Sequence, residues 1–525
     1  MRMNRLLPLA LITLLLIVPS AHAARGFSLG VAAGEVTSKS AVLWAKAKKS
    51  GKYTLRVARN RGFTRGLVTT VVRARKSHDN TVQAKVGGLR PGTRYFFVFI
   101  GGGSKSGAGA FVTAPRPSQN KTIEFAWSGD QDFNPQPGQR TPFWNNGGVL
   151  REMRAERNAF NVMLGDTIYS DSEVPGRLNP IALSVKQKWA KYRINLGNPA
   201  LRALRGSAGF YSHWDDHEFV NDFSPAENSF DNGVNVNGRT LYNRGTRAFR
   251  DYSPVRWTSR DGLYRTVRWG KNLELFFLDQ RSFRSQNADE GGVCNNPQTN
   301  EPDVAPTAPQ STRNLFAVVT PSLAQPVSQA CLDRIRSPQR TFLGERQKTR
   351  FLKAVEESNA RFKVIMNEMP IQQYYVLPYD RWEGYEAERQ EILRELRQNV
   401  KNTIFLSTDV HATLVNDARF QTLESGGPQN SGIFDVTVGP VATANFGLEI
   451  DQTTGQPGSG ALVDGAFFTP PPPQGVGMRC SVLDQFSYGQ VRVTRNQLTV
   501  TPKDINGVPL TDNGNPCSVV LNHQN

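Results

Sequence analysis

The alternation of hydrophobic and polar positions divides the chain into two regions. From Phe27 to Ala114, short runs of period two such as SAVLWAKA and KYTLRVAR are separated by Gly, Lys and Asn turns, and no helical pattern interrupts them. From Thr122 onward, continuous apolar runs alternate with helical stretches such as ERQKTRFLKAVEES and RQEILRELRQ. Continuous apolar runs are typical of strands buried on both faces, so we expect an all-β region followed by an α/β region.

One segment of the first region indicates its fold. Leu89 to Tyr95 reads LRPGTRY and resembles the L-x-P-x-T-x-Y stretch of fibronectin type III domains, in which the tyrosine hydroxyl ties a strand corner to the backbone. The resemblance implies a fibronectin type III-like β-sandwich over residues 27–114, with 115–120 as a linker. Residues 121–525 would then form a second, α/β domain, and two domains agree with a chain of 525 residues.

The N-terminus has the pattern of a signal peptide. Two arginines precede an apolar run from Leu6 to Val18, and the leader closes on the small-x-small pattern A-H-A, so we expect residues 1–23 to be removed on export. The run is shorter than the roughly 20 residues that span a bilayer, and no later segment is long and apolar enough. The sequence therefore predicts an exported protein, periplasmic or extracellular, without a transmembrane segment.

The chain has four cysteines, and none of them stands in a C-x-x-C spacing. In an exported chain this favours two disulfides over a zinc site. Three connectivities are possible. We expect the sequential one, Cys294 with Cys331 and Cys480 with Cys517, each bridge contributing roughly 3 to 4 kcal/mol by chain entropy. The first would close an insertion from Ser285 to Phe342, interpreted as a solvated decoration or, less readily, as a lid or substrate-facing loop.

The positive charge changes the picture only slightly. The formal net charge is +18, two units of which leave with Arg2 and Arg5 of the leader, and the rest is spread along the chain. Such a field attracts anions, for example a phosphate ester, a polyanionic wall polymer or nucleic acid. A basic surface also serves solubility, so charge does not decide the function.

Candidate chemistry stands at the ends of the apolar strands of the second region. In α/β sheets, ligands bind in the crevice outside the carboxyl ends of the strands. Carboxylates gathered there repel one another unless cations neutralise them, so we expect a cluster of metal ions. The strand-end residues are Asp130, Asp132, Asp166, Asp215, Asp216, Asp279, Asp409 and His411.

Two of these strand ends also carry a histidine. The string DDHE from Asp215 to Glu218 is distinctive, because three carboxylates and an imidazole in a row are costly to bury without a ligand. Asp409 and His411 stand two residues apart, a spacing that points both side chains to one side, as chelation requires. His213 is explained equally well as a packed ring.

In this order the blocks resemble those of the calcineurin-like metallophosphoesterases, which read D-x-H, G-D-x-x-D, G-N-H-D/E and G-H-x-H. The corresponding strings here are DQD from Asp130, GDTIY from Gly165, DDHE from Asp215 and TDVH from Thr408. Four further features are similar to the alkaline phosphatase D (PhoD-like) branch: Tyr169, the string WDDHE, the string WEGY from Trp382, and LGERQ from Leu343 as an L-G-x-x-Q string. That branch also carries an N-terminal fibronectin-like domain.

The resemblance implies an α/β metallophosphoesterase fold, a β-sandwich flanked by helices, with two or more metal ions. Members can bind iron(III) through a tyrosine and a cysteine, with calcium completing the cluster. Here Asp130 takes the place of the cysteine, which leaves iron, calcium, manganese or zinc open. The expected ligands are Asp130, Asp166, Tyr169, Asp216, Asn367, Asp380, Asp409 and His411. Asp166 would be shared between ions, whereas Asn367 and Asp380 are equally well explained as a strand-end residue and a helix cap.

The implied reaction is attack on phosphorus by a metal-activated hydroxide, which makes a protein nucleophile unnecessary. His217 would face the phosphate or protonate the leaving oxygen, and Arg281 would bind phosphate oxygens unless it forms an ordinary ion pair. The sequence thus predicts a secreted metal-dependent phosphatase or phosphodiesterase acting on a phosphate ester, small or polyanionic, without a stable nucleic-acid complex.

Two alternatives stay open. A metal-dependent nuclease, or a phosphodiesterase of wall teichoic acid or phospholipid head groups, would share the metal site and differ in the groove around it. A secreted non-catalytic protein that binds anions or wall polymers would also fit the charge. A serine hydrolase is disfavoured, because no G-x-S-x-G string occurs in the sequence.

Overall fold

The computed structural model describes residues 26–177, 180–229, 235–318 and 320–524. The predicted signal peptide, residues 1–23, lies outside these ranges. Within them, no helix combines the length and the hydropathy needed to cross a bilayer.

The elements follow the two regions of the sequence pattern. The first region holds the strands β1 (Val31–Gly34), β2 (Ala41–Lys46), β3 (Gly51–Ala58), β4 (Val68–Ala74), β5 (Thr81–Val86), β6 (Arg94–Gly101), β7 (Ser104–Lys105) and β8 (Gly109–Val112). The second holds β9 (Ile123–Ser128), β10 (Phe160–Leu164), β11 (Gly209–His213), β12 (Asn228–Ser229), β13 (Val236–Asn237), β14 (Arg265–Trp269), β15 (Leu273–Phe277), β16 (Phe362–Met366), β17 (Thr403–Ser407), β18 (Thr413–Gln421), β19 (Gln429–Thr437), β20 (Cys480–Val482), β21 (Ser487–Val493), β22 (Gln497–Asp504), β23 (Thr511–Asp512), β24 (Asn515–Pro516) and β25 (Val519–Asn522).

The helices lie almost entirely in the second region. They are α1 (Gly148–Ala155), α2 (Val185–Asn195), α3 (Pro199–Arg205), α4 (Gly238–Tyr252), α5 (Gln310–Phe316), α6 (Gln329–Arg336), α7 (Glu345–Glu356), α8 (Glu386–Asn399), α9 (Phe446–Thr454) and α10 (Ser459–Val463). Short 3₁₀ turns occupy Lys76–His78, Glu290–Gly292, Pro321–Ala324 and Trp382–Tyr385, and a π-helical turn occupies Asp464–Phe468.

Two mixed sheets form the centre of the molecule. The nine-stranded sheet has the order β25-β22-β21-β9-β10-β11-β1-β2-β5, and the seven-stranded sheet has the order β14-β15-β16-β17-β19-β18-β20. The central strands of each sheet run parallel, β9 to β11 in the first and β15, β16, β17 and β19 in the second. Parallel strands end at the same edge, so this topology gathers the strand-end residues on one side of each sheet.

The two sheets pack face to face. Alternate side chains of the central strands point into the space between the sheets and the others point toward the outer helices, and both sets are apolar. In β10, Phe160, Val162 and Leu164 belong to the core between the sheets, whereas Met163 faces the outer layer. The ring centroids of Phe160 and Trp269 lie 4.5 Å apart across the sandwich. Each outer face is covered by helices, α1 to α4 on the large sheet and α7 with α8 on the other. The predicted α/β sandwich flanked by helices is confirmed.

The first region is all-β, as predicted, but it is joined to the second by a shared sheet. β1 pairs in parallel with β11, with Ala33 opposite Gly209, so β1, β2 and β5 extend the large sheet. The remaining strands, β3, β4, β6, β7 and β8, form a separate five-stranded sheet. The Tyr95 hydroxyl accepts the backbone N–H of Arg90 at 2.9 Å, which is the corner contact expected from the fibronectin-like string. The domain limits 27–114 and 121–525 stay predictions.

Both predicted disulfides are present. Cys294 pairs with Cys331, and Cys480 pairs with Cys517. The first closes the insertion, which carries both α5 and α6. The second links β20, at the edge of the smaller sheet, to the residues just before β25, at the edge of the larger one. The two bridges therefore fasten parts of the chain that sit at the margins of the sandwich.

A close contact between Gly489 and Trp127 tests the packing of the large sheet. A Cβ added to Gly489 would lie 1.9 Å from the Trp127 ring, so Gly489→Ala is expected to lower the unfolding free energy by roughly 1 to 3 kcal/mol through overpacking. Gly87→Ala is the matched control, because a Cβ there meets no atom within 4 Å. Urea unfolding of both variants measures the difference, and equal midpoints would contradict the packing described.

Candidate metal centre

The carboxyl ends of the parallel strands of both sheets open on one cleft of about 220 Å³. Its lining is mainly acidic, with two histidines among the carboxylates, and Arg381 is the only lysine or arginine among the described residues that line it. Five of the candidate ligands that the sequence singled out line this cleft, together with residues from the loops around it: Asp166, Asp216, Asp380, Asp409 and His411. The other three, Asp130, Tyr169 and Asn367, are fully buried and are not part of its lining.

Left-handed backbone directly after the strands turns the candidate ligands into the cleft. Asp130 follows β9, Asp166 follows β10, and Asp409 and His411 follow β17. All four have positive φ, between 46° and 74°. Non-glycine residues in this conformation cost of order 1 to 3 kcal/mol each and cluster at functional sites. The loops therefore hold these side chains in place at a cost to stability.

The structure brings most of the expected ligands within coordinating reach of one another. In each of four groups, one ligand atom per residue lies within 4.8 Å of the others. The groups are Asp130, Asp166 and His411; Asp166, Asp216 and His217; Asp215, Asp216 and Asp409; and Asp216, Asp222 and Asp380. Asp166 occurs in two groups and Asp216 in three, so these two carboxylates lie where ions would be shared.

Tyr169 and Asn367 lie at the same edge of the sheets. The Tyr169 hydroxyl is 2.9 Å from Nε2 of His411, and its ring stacks on His217 with centroids 4.0 Å apart. Asn367 is fully buried, and its amide is bonded to protein groups: Oδ1 accepts from the Trp382 indole at 3.3 Å, and the amide nitrogen donates to the Met369 carbonyl. Tyr169 is thus aimed at the ligand cluster, whereas Asn367 is held by its neighbours.

The electrostatics of the cleft fit bound cations. Burial, with a smaller contribution from the charge of Asp409, raises the pKa of Asp130 to about 7. Burial likewise raises the pKa of Asp409 to about 6 and that of Asp166 well above its usual value. In the described structure, Oδ2 of Asp130 is buried and has no hydrogen-bond partner. A cation would neutralise these carboxylates and coordinate that oxygen, so the residues present fit a metal centre.

A second layer of carboxylates holds the ligands. Glu218 accepts the backbone N–H groups of Asp166, Thr167 and Asp215 at 3.1, 2.8 and 2.9 Å, and so fastens the loops after β10 and β11 to each other. Nδ1 of His217 lies 2.7 Å from Asp171. Partners of this kind fix the orientation of a histidine ring and raise its basicity.

His411 is held in the same way by α9. Its Nδ1 lies 2.5 Å from Glu449. Burial by itself would lower the pKa of His411, but Glu449 and Asp130 outweigh it and raise the pKa to about 10. The other ring nitrogen, Nε2, is the one near Tyr169, so the Glu449 contact fixes which nitrogen faces the cleft.

Arg281 lies inside the protein, with no exposed surface. Its guanidinium contacts Asp215 at 2.6 Å, Asp380 at 2.8 Å and Asp216 at 3.7 Å. Arg284 also contacts Asp380, at 2.6 Å, and the two guanidiniums outweigh the effect of burial and lower the pKa of Asp380. This is the ion pair that the sequence left open as the alternative to phosphate binding.

The other strand-end residues have structural contacts. Asp132 accepts the N–H of Asn134 at 2.9 Å, and Asp279 accepts that of Leu263 at 2.7 Å. His213 is fully buried, with its Nδ1 3.1 Å from Glu368, and is therefore a packed ring.

Sequence reasoning missed several residues that line or support the cleft. Asp171 stands two residues after Tyr169, and Asp222 four after Glu218, both in loops that continue known motifs. Arg381 precedes the WEGY string, and its Nε lies 3.7 Å from Asp409. Closeness to a motif was the available signal for these three. Glu449 comes from a helix in a loop-rich region, and no local pattern indicated it.

A two-sheet α/β sandwich with carboxylates and histidines gathered at its strand ends defines the metallophosphoesterase class. Comparison with known proteins agrees with it. The family model described as PhoD-like phosphatase matches residues 137–500, and the model of the N-terminal domain of PhoD-like phosphatases matches residues 16–115. The chain belongs to the PhoD-like phosphatase family.

Individual relatives were also found. The chain is 24% identical over 425 residues to alkaline phosphatase D of Bacillus subtilis (strain 168), which covers 74% of this chain and 64% of that protein, less than two thirds of its length. The solved structure of PhoD superposes with a TM-score of 0.70 at 19% identity, covering 94% of this chain and 95% of the other. The purple acid phosphatase PPD1 from yellow lupin (Lupinus luteus) seeds gives 0.56 at 10% identity, covering 94% and 73%. The two structures show the fold.

The anchoring role of Glu218 is testable. Glu218→Gln replaces one acceptor oxygen by a donor that faces a backbone N–H, so the loops of Asp166 and Asp215 should loosen. Metal affinity, measured by competition with a coloured chelator, is expected to fall roughly 10- to 100-fold. Glu124→Gln is the control, because Glu124 is a half-exposed carboxylate that pairs with Arg492 in another part of the sheet. Unchanged affinity in Glu218→Gln would show that the loops keep their positions without it.

Proposed function

We propose that this chain is a secreted metal-dependent phosphatase or phosphodiesterase that hydrolyses phosphate esters. The observation that carries the proposal is the set of carboxylates, with His217 and His411, that surrounds one cleft at the strand ends of a PhoD-like chain. Such a set binds metal ions, and metal ions activate phosphate esters toward hydrolysis.

We further propose that two or more ions occupy the cleft. Asp130, Asp166 and His411, with Tyr169 beside them, would hold one, and Asp216 with Asp409 would hold a second that shares Asp166 or Asp216. All four cysteines are in disulfides, so the donors are oxygens and imidazole nitrogens. That donor set suits iron, calcium, manganese or zinc. Bound ions would polarise the phosphoryl group and supply a nucleophile at neutral pH.

His217 is proposed as the group that donates a proton to the leaving oxygen. Burial by itself would lower its pKa, but the carboxylates of Asp171, Asp216 and Asp166 outweigh burial and raise the pKa well above the usual value. The Asp171 contact occupies Nδ1, which leaves Nε2 for the cleft. An imidazole whose Nδ1 is held by a carboxylate at 2.7 Å presents Nε2 in the orientation that a general acid needs.

Arg381 is proposed as the residue that contacts phosphate oxygens. It lines the cleft with its Nε 3.7 Å from Asp409, and its Nη1 donates to the Val376 carbonyl at 3.2 Å. Within the described ranges Nη2 has no hydrogen-bond acceptor, so it can turn toward an anion. Arg281, buried beneath the cleft, is proposed to position Asp215, Asp216 and Asp380.

The proposed location is outside the cytoplasm, periplasmic or extracellular. Two disulfides support it, because such bonds persist in oxidising compartments. The predicted leader at residues 1–23 is the second support.

Metal analysis beside an esterase assay tests the proposal. We expect two or more ions per chain and release of p-nitrophenol from p-nitrophenyl phosphate or bis-p-nitrophenyl phosphate, lost in chelator and restored by added metal. The ratio of the two rates would decide between a monoesterase and a diesterase. A protein that binds anions but releases no product under any metal would support the non-catalytic alternative instead.

His217→Ala separates proton transfer from metal binding. General acids contribute typically 10² to 10⁴-fold, so kcat is expected to fall by about that factor while metal content is kept. The loss should be smaller for p-nitrophenyl esters, whose leaving group needs little protonation, than for phenyl esters. His523→Ala, at the C-terminus, is the control. Equal losses for both esters would exclude His217 as the acid.

A further inference from the structure

A second and larger hollow lies beside the metal cleft. This apolar groove has a volume of about 950 Å³. It lies between the insertion, which includes the turn at Pro321–Ala324, and helices α9 and α10. Its apolar lining includes Val304, Phe316, Leu323, Phe446, Ile450 and Val463. Hollows of this size and composition typically bury an organic ligand.

The groove is continuous with the metal cleft. Leu377 and Glu449 line both hollows. Leu377 is 48% exposed and donates its backbone N–H to the Val304 carbonyl at 2.8 Å. This bond joins the segment that precedes Arg381 to the insertion. Glu449 contacts the ligand His411, whereas its neighbour Ile450 lines the groove. One helix, α9, thus contributes to both.

The wall made by the insertion is built of fixed contacts. Arg313 of α5 pairs with the buried Asp303 through both carboxylate oxygens, at 2.7 and 2.8 Å. Asn296 donates to the Ser322 carbonyl at 2.8 Å, and the Cys294–Cys331 bridge closes the segment. The insertion was interpreted from sequence as a solvated decoration, with a substrate-facing loop as the alternative. Asn287 and Asp289 of the insertion line the metal cleft, and the Tyr379 hydroxyl donates to the Asp303 carbonyl at 2.7 Å, so the insertion lies against the site.

The charge of the groove discriminates between ligands. Among the described residues that line it there is no lysine or arginine, while Glu301, Asp303 and Glu449 carry carboxylates. A polyanion such as nucleic acid or a wall polymer would meet no cation there. Leu315 of α5 and Leu462 of α10, each more than half exposed, add apolar surface near it. Contiguous apolar surface of this kind is typical of ligand-binding grooves.

We propose that the apolar groove receives the organic part of the substrate, and that the substrate class is therefore phosphate esters of alkyl or aryl alcohols. The inference rests on the proposed function. The metal cleft, small and acidic, accommodates the phosphate, and the groove takes the apolar group attached to it. Chain length or ring size of the alcohol then sets the affinity.

Titration calorimetry with n-alkylphosphonates tests this without turnover. Methyl-, butyl- and octylphosphonate are titrated into the metal-loaded full chain. Burial of one methylene is worth up to about 0.8 kcal/mol, so affinity is expected to rise about two- to fourfold for each methylene that enters the groove. Equal affinity for methyl- and octylphosphonate would overturn the proposal, as would failure of all three to bind.

Variants locate the effect. Val304→Thr combined with Val463→Thr keeps the side-chain volume and places two hydroxyls in the wall, and Ile450→Asp places a charge there. In both, the ratio of octyl to methyl affinity should fall at least fivefold, whereas Leu67→Asn, at an exposed leucine of the N-terminal region, should keep it. Circular dichroism checks that each variant is folded. If the double variant keeps the wild-type ratio, the alkyl chain binds elsewhere and the proposal fails.

The same protein is assayed on p-nitrophenyl phosphate. If the protein hydrolyses this ester but binds all three phosphonates with equal affinity, the proposed function is supported and the role of the groove is not. A rising series without turnover would leave the groove standing without the esterase.

Discussion

Carboxylates that are buried side by side raise the energy of one another's ionised forms, and the cleft gathers them from four strands. The protein meets this repulsion from several directions. Arg281 neutralises Asp215 and Asp380 from beneath, and backbone N–H groups from two loops converge on Glu218. The negative charge that these contacts do not compensate lies on the side that faces the cleft, around Asp130 and Asp166. Bound cations would balance it and keep these carboxylates ionised.

The positions of these charged groups depend on the rigid packing of the two sheets. The facing sheets are locked by large rings such as Phe160 and Trp269, and by the Trp127 indole, which donates to the Ser407 carbonyl at 3.0 Å across the sandwich. The strands that end there are five or six residues long, and their parallel pairing brings their last residues to one level. The carboxylates that stand in left-handed turns directly after these strands are therefore held close to one another.

The sequence predicted the parts of this arrangement that local patterns carry. Apolar runs such as IEFAWS and FNVML identified the central strands, and the acids directly after them identified the cleft. Sequential pairing of the cysteines also held. Contacts that depend on tertiary packing could not be predicted from the sequence. The ion pairs of Arg281 come from residues 66 and 99 positions away, and Glu449 meets His411 across 38 residues. No local pattern encodes such contacts.

The pairing of β1 with β11 shows a further limit. From sequence, the N-terminal region, residues 27–114, was expected to form a fibronectin type III-like β-sandwich, and its predicted all-β character was correct. Its first strand nevertheless completes the sheet next to the strand that leads into Asp215 and His217. Without that strand, β11 would become an unprotected sheet edge, open to pairing with strands of other molecules. A gene encoding the second region alone would therefore yield a polypeptide prone to self-association, so a truncated form that starts after the first region would need a substitute for β1.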